Sequence, residues 1–98
     1  MYVLEIRYFG VSQPADDLST EHLVWLTNEQ IVADTANFIA GMSKTLAETY
    51  GESATRKWLV IGGSYGANAI AWMNVKYPHI ADFVVADSPP VLAVTEYW

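Results

Sequence analysis

The sequence of 98 residues contains no cysteine, few basic side chains and no long apolar run. Without cysteine it can form neither a disulfide framework nor a thiolate nucleophile nor a cysteine-ligated metal site. Its 5 basic residues stand against 11 acidic ones and form no cluster, which argues against a nucleic-acid or anionic-membrane surface. We find no membrane-spanning run and no secretory signal after Met1.

The composition that remains is that of a globular protein with a buried core, because 52% of the residues are hydrophobic and 16% are charged. The length allows at most one domain. Short segments rich in β-branched and aromatic residues predict three strands, at Tyr2–Ile6, Trp58–Ile61 and Ala81–Asp87. The run 58–61 is apolar throughout, which predicts a strand with helices on both of its faces.

Two helices are predicted between these strands. The first begins at the capping box T-N-E-Q, Thr27 to Gln30, and ends at Gly51. Its apolar residues recur every three or four positions: Val32, Ala36, Ile39, Met42, Leu46 and Tyr50. The second helix follows a glycine-rich turn and ends before Pro78. Alternating strands and helices predict a parallel α/β layer.

The glycine-rich turn matches G-x-S-x-G and lies between a predicted strand and a predicted helix. It reads Gly62-Gly63-Ser64-Tyr65-Gly66. In a nucleophile elbow the serine occupies a strained turn, and side chains two positions before and after it would collide with the neighbouring strand or helix. The following helix directs its free amides toward a developing oxyanion. These residues therefore predict a nucleophilic Ser64 with the Tyr65 amide as oxyanion donor.

Three blocks in order extend the prediction to nearly the whole chain. "LEIRYFGVSQP", "HLVWLTNEQIVAD" and "VIGGSYGANAIAWMNVKYPHI" resemble the serine peptidase family that includes lysosomal Pro-X carboxypeptidase, dipeptidyl peptidase II and thymus-specific serine protease. The resemblance implies an α/β-hydrolase fold and peptide substrates cut beside proline near one terminus through an acyl-enzyme on Ser64. Whether dipeptides or single residues are removed stays open. The resemblance implies no cofactor.

The resemblance also implies what lies outside this chain. The family's Asp and His partners of the serine lie downstream, and its first strands precede Tyr2, one of them between the strands at Tyr2–Ile6 and Trp58–Ile61. We therefore expect residues 1–98 to be the central fragment of a peptidase domain, with a gap in its sheet and no activity alone. A lysosomal or secreted location and a homodimer of the full-length protein come from the resemblance only.

Two other functions stay open. The elbow does not distinguish esters from amides, so an esterase or lipase of the same architecture is an alternative. A catalytically inactive truncated product is the other, because the chain offers only His22 and His79 as a base. His79 is predicted at the far end of the helix that begins at the elbow, and His22 in a loop. Neither suits a base for Ser64, and two isolated histidines give no metal site.

The chain departs from the family's usual residues at a few positions. Ile6 stands where a histidine is usual, Ala67 follows the elbow in place of glycine, and Asp87 lies in "ADSPP" where "ASSAP" is usual. Glu5 and Arg7 flank Ile6 and share one face of the predicted strand. We expect them to form a structural ion pair, with a contact from Glu5 to a substrate amine as the alternative.

Overall fold

The computed structural model describes residues 1–51 and 56–96. These residues form an open α/β layer whose two strands are parallel, with Leu59 beside Phe83 and Gly63 beside Asp87. The elements in chain order are a 3-10 turn at Leu23–Trp25, α1 at Asn28–Tyr50, β1 at Leu59–Gly63, α2 at Tyr65–Lys76 and β2 at Phe83–Asp87. The predicted order from the first helix onward, and the parallel pairing, are confirmed.

Helix α1 begins and ends at the residues that the sequence indicates. The Thr27 hydroxyl accepts a hydrogen bond from the Gln30 amide at 3.3 Å, which satisfies one of the amides left without a partner in the first turn. At the other end Gly51 has φ +87° and donates its amide to the Ala47 carbonyl. A residue with a side chain is strained at that φ, so glycine favours the end of the helix there.

The core lies between the two helices and one face of the sheet. Its buried centre consists of Val32, Ala36 and Ile39 from α1 and Met73 from α2. Half-buried Val60 and Val84, from the two strands, pack against this cluster together with five further side chains: Phe38, Trp58, Tyr77, Ile80 and Ala81. Toward the end of the predicted stripe of α1, Tyr50 is exposed.

The opposite face of the sheet carries no helix in the described part of the chain. Leu59 and Ile61 on β1, and Phe83 and Val85 on β2, are 48–66% exposed. Alternate residues of a strand point to opposite faces, so these four side chains stand away from the core that holds Val60. The prediction that helices cover both faces of β1 is therefore wrong for the described residues.

Tyr2–Ile6 does not form the predicted strand. The segment is extended and pairs with neither β1 nor β2, and its Val3 and Leu4 side chains are exposed. The Tyr2 ring lies edge-on to Phe38 at 5.8 Å and beside Trp58 at 6.0 Å. A β-rich sequence becomes a strand only when a neighbouring strand takes up its backbone hydrogen bonds, and no described segment does so.

No helix in residues 1–51 or 56–96 is both long and apolar enough to span a membrane.

Candidate active site

Ser64 stands at the turn from β1 to α2, at the carboxyl edge of the sheet. Its backbone has φ +51° and ψ −125°, which a residue with a side chain rarely adopts. The side chain is exposed, and its hydroxyl does not cap α2. The strained turn predicted for an elbow is thus present, with the serine side chain on the outside.

The glycines around Ser64 have different steric roles. A Cβ at Gly62 would lie 2.5 Å from the Gly66 carbonyl oxygen and 2.7 Å from its carbonyl carbon, so the first turn of α2 approaches the backbone of β1 too closely for a side chain. A Cβ at Gly66 or Gly63 would meet no described atom within 4 Å. The predicted collision is present at Gly62, and no described residue produces it at Gly66.

The amino end of α2 lies directly behind Ser64. Tyr65 and Gly66 are its first two residues, and amides at that position have no carbonyl acceptor inside the helix. They carry the positive end of the helix dipole. The arrangement can stabilise negative charge beside the serine, which an acyl-transfer reaction develops on the substrate oxygen.

Side-chain hydrogen bonds hold the elbow against the rest of the chain. The Tyr65 hydroxyl donates to Asn28 Oδ1 at 2.6 Å, which joins the first turns of the two helices. Partial burial of the phenol raises the pKa of Tyr65. Asn68 is buried and donates from Nδ2 to the Pro90 carbonyl at 3.0 Å, so α2 also holds the segment after β2.

Sequence reasoning missed these two asparagines. A single polar residue within the apolar run A-N-A-I of α2 is the signal that could have indicated Asn68, because a buried amide needs hydrogen-bond partners. No local signal pairs Asn28 with Tyr65, since the two residues are 37 positions apart.

Neither histidine hydrogen-bonds Ser64 within the described residues. His22 lies in the loop before α1, where its Nδ1 is 2.9 Å from Asp17 Oδ1 and its carbonyl accepts from the Tyr8 hydroxyl. His79 follows the carboxyl end of α2, a helix of 12 residues and about 18 Å that begins directly after Ser64. The described residues also contain no cluster of three or more histidine, aspartate and glutamate side chains able to hold a metal ion.

Glu5 and Arg7 do not form the predicted ion pair with each other. The Arg7 guanidinium binds Asp34 of α1 through two hydrogen bonds of 2.6 Å, and this pair raises the pKa of Arg7. Glu5 accepts hydrogen bonds from the amides of Val11 and Ser12 at 3.0 and 2.9 Å. The two side chains diverge because residues 1–6 are not a strand. Arg7 therefore binds α1, and Glu5 binds the backbone of the loop that follows it.

The loop held by Glu5 should loosen in acid. Hydrogen bonds from the Ser12 side chain, and then from the amides of Ser12 and Val11, lower the pKa of Glu5 from its ordinary value of 4.5. A carboxyl group whose pKa is lowered by folding stabilises the fold above its unfolded pKa and loses that contribution as pH falls through the folded value. We expect protection of the Val11 amide from hydrogen exchange to fall between about pH 5 and pH 3.

Exchange measured by NMR and corrected for the intrinsic rate tests this expectation. The Gly51 amide, which is bonded to a backbone carbonyl, is the internal control and should keep its protection. Glu5→Gln should remove the pH dependence at Val11. Equal protection of Val11 at pH 6 and pH 3 in the unchanged chain would show that the Glu5 carboxylate does not hold the loop.

Together these features define an α/β protein with a serine at a strained turn between a parallel strand and a helix. The family model described as serine carboxypeptidase S28 matches residues 1–98. The chain belongs to this family of serine peptidases.

Curated relatives agree with this family. The chain is 40% identical over 90 residues to lysosomal Pro-X carboxypeptidase of Mus musculus, covering 89% of this chain and 18% of that protein. It is 33% identical over 94 residues to thymus-specific serine protease of Homo sapiens, covering 96% of this chain and 18% of that protein. A protein named "probable extracellular serine carboxypeptidase" from Arthroderma benhamiae is 34% identical over 97 residues, and the match covers 98% of this chain and 14% of that protein. The chain thus spans less than a fifth of these relatives. No solved structure matches it.

Proposed function

We propose that Ser64 is the nucleophile of a serine exopeptidase that cleaves peptides beside proline. The observation that carries the proposal is the Ser64 backbone, which has a φ of +51° at the turn directly before the first amides of α2. Family membership makes peptides the substrate class. The proposed preference for proline rests on the name of a relative, lysosomal Pro-X carboxypeptidase.

The reaction proceeds in the order common to acyl-transferring serine enzymes. The Ser64 oxygen attacks the scissile carbonyl, a base accepts the hydroxyl proton, and the Tyr65 amide donates to the oxyanion. The amine leaves with a proton, and water then hydrolyses the acyl-enzyme.

The described residues place no histidine on Ser64, so we propose that residues 1–98 act as the part of a larger peptidase domain that surrounds its nucleophile, and are inactive alone. A lysosomal or secreted location follows from the names of the relatives.

Comparing two substrates tests the proposal on the longest natural polypeptide that contains residues 1–98. One substrate is a peptide with proline next to the scissile amide, and the other is a simple acyl ester. We expect the proline peptide to have the higher kcat/KM and Ser64→Ala to abolish its hydrolysis. Turnover of the ester alone would favour an esterase, and full peptidase activity in Ser64→Ala would contradict the assignment of Ser64.

A further inference from the structure

Asp87 is placed beside Ser64 by the pairing of the two strands. It is the register partner of Gly63, the residue before the serine, and its carbonyl accepts a hydrogen bond from the Ser64 amide at 3.0 Å. Adjacent strands lie about 4.8 Å apart, so the Cα atoms of Ser64 and Asp87 are about 6 Å apart. Asp87 therefore stands at the same edge of the sheet as the nucleophile.

The carboxylate is exposed and makes no ion pair in the described part of the chain. Its one side-chain partner there is the hydroxyl of Ser88, at 3.3 Å, and Ser88 itself has a φ of +51°. A hydroxyl donor leaves the charge of a carboxylate in place. Asp87 is thus available to act on a charged group that approaches Ser64.

The basic side chains of the chain are engaged away from this edge. Arg7 binds Asp34, Lys44 lies near Glu48 of α1, and Arg56 stacks over the Tyr50 ring: these three contacts lie along α1 or at its end. The other two cations stand at the opposite ends of the elements that meet at Ser64, Lys57 over the Phe83 ring and Lys76 over the Tyr77 ring. Within residues 1–51 and 56–96, no basic side chain is seen to neutralise Asp87.

We propose that Asp87 is a specificity-determining residue that makes the Ser64 site prefer peptides with a positive charge next to the scissile bond. The inference rests on the proposed nucleophilic role of Ser64. A free terminal amine and a Lys or Arg side chain both supply that charge. A terminal carboxylate at the same place is repelled, so Asp87 favours release from the amino end of a peptide over release from the carboxyl end.

The size of the effect follows from Coulomb's law. The attraction between two opposite unit charges about 7 Å apart at a partly solvated site raises the rate for a cationic substrate roughly five- to tenfold over that for a neutral one. Salt screens such an interaction, because the Debye length falls to about 3 Å at 1 M. A preference that arises from Asp87 is therefore reduced in 1 M NaCl.

Peptidyl diphenyl phosphonates, which phosphonylate an activated serine, test the proposal on the longest natural polypeptide that contains residues 1–98. One pair of probes compares Gly-Pro with N-acetyl-Gly-Pro for the terminal amine. A second pair compares N-acetyl-Lys-Pro with N-acetyl-norleucine-Pro for the side chain. The rate of modification of Ser64, followed by mass spectrometry, gives the ratio of cationic to neutral probe for each pair.

We expect one ratio or both to exceed about five, and Asp87→Asn to lower that ratio at least fivefold while the neutral probe reacts within twofold of its usual rate. Glu48→Gln is the matched control, since it also removes one carboxylate but lies near the far end of α1, and it should leave the ratio unchanged. Modified Ser64 with the same ratios in Asp87→Asn would overturn the role of Asp87 alone. Absence of any modification at Ser64 would overturn the proposed function as well.

Discussion

Gly62→Ala should destabilise the fold by about 1 to 3 kcal/mol, the usual range for forcing an extra carbon into a closed contact. The new Cβ would lie 2.5 Å from the carbonyl oxygen of Gly66. That atom belongs to the backbone, so relief requires α2 to move away from β1. Because Ser64 lies between the two elements, such a shift also changes the turn that holds Ser64.

Gly63→Ala is the matched control for this prediction. Gly63 is the neighbouring glycine in the same strand, and its Cβ would meet no described atom within 4 Å. Urea unfolding followed by tryptophan fluorescence gives the free energy of unfolding of both variants. If Gly62→Ala and Gly63→Ala unfold at the same urea concentration, the close approach at Gly62 does not shape the elbow.

Met73→Ala should lower the free energy of unfolding by about 2 to 5 kcal/mol, because removal of the large buried apolar side chain leaves a cavity in the core. Met73 is 0% exposed and lies in the cluster where α2 meets α1. The loss of this side chain should loosen the contact between the two helices and so shift the turn that holds Ser64. The same urea experiment measures it.

The control for Met73 lies on the same helix. Val75 is 83% exposed, so Val75→Ala should change the free energy of unfolding by less than about 0.5 kcal/mol. A cost below about 1 kcal/mol for Met73→Ala would mean that α2 does not pack on α1 as the structure has it.

Local signals in the sequence predicted the elements that carry the candidate site. The Thr27 cap and Gly51 bound α1 because both act through hydrogen bonds and dihedral angles within a few residues. The glycines before Ser64 predicted the tight turn from strand to helix for the same reason. Parallel pairing of β1 and β2 followed from the intervening helix, since a crossover connection brings the next strand back in the same direction.

Features that depend on distant partners could not be predicted. The apolar and β-branched character of Tyr2–Ile6 predicts a strand, and the apolar sequence of β1 predicts a strand that is covered on both faces. Pairing and cover, however, depend on the segments that lie alongside. Their spacing predicts that Glu5 and Arg7 pair with each other, whereas Asp34, 27 positions away from Arg7, binds Arg7 more strongly through two hydrogen bonds. A pattern within one segment carries no information about such partners.

The central claim is that Ser64 is the nucleophile, and the most direct test is the position of a covalent adduct. The longest natural polypeptide that contains residues 1–98 is treated with a fluorophosphonate, digested, and analysed by peptide mass spectrometry. The adduct should lie on Ser64, and Ser64→Ala should leave the protein unmodified. An adduct on another residue, or undiminished labelling of Ser64→Ala, would contradict the account.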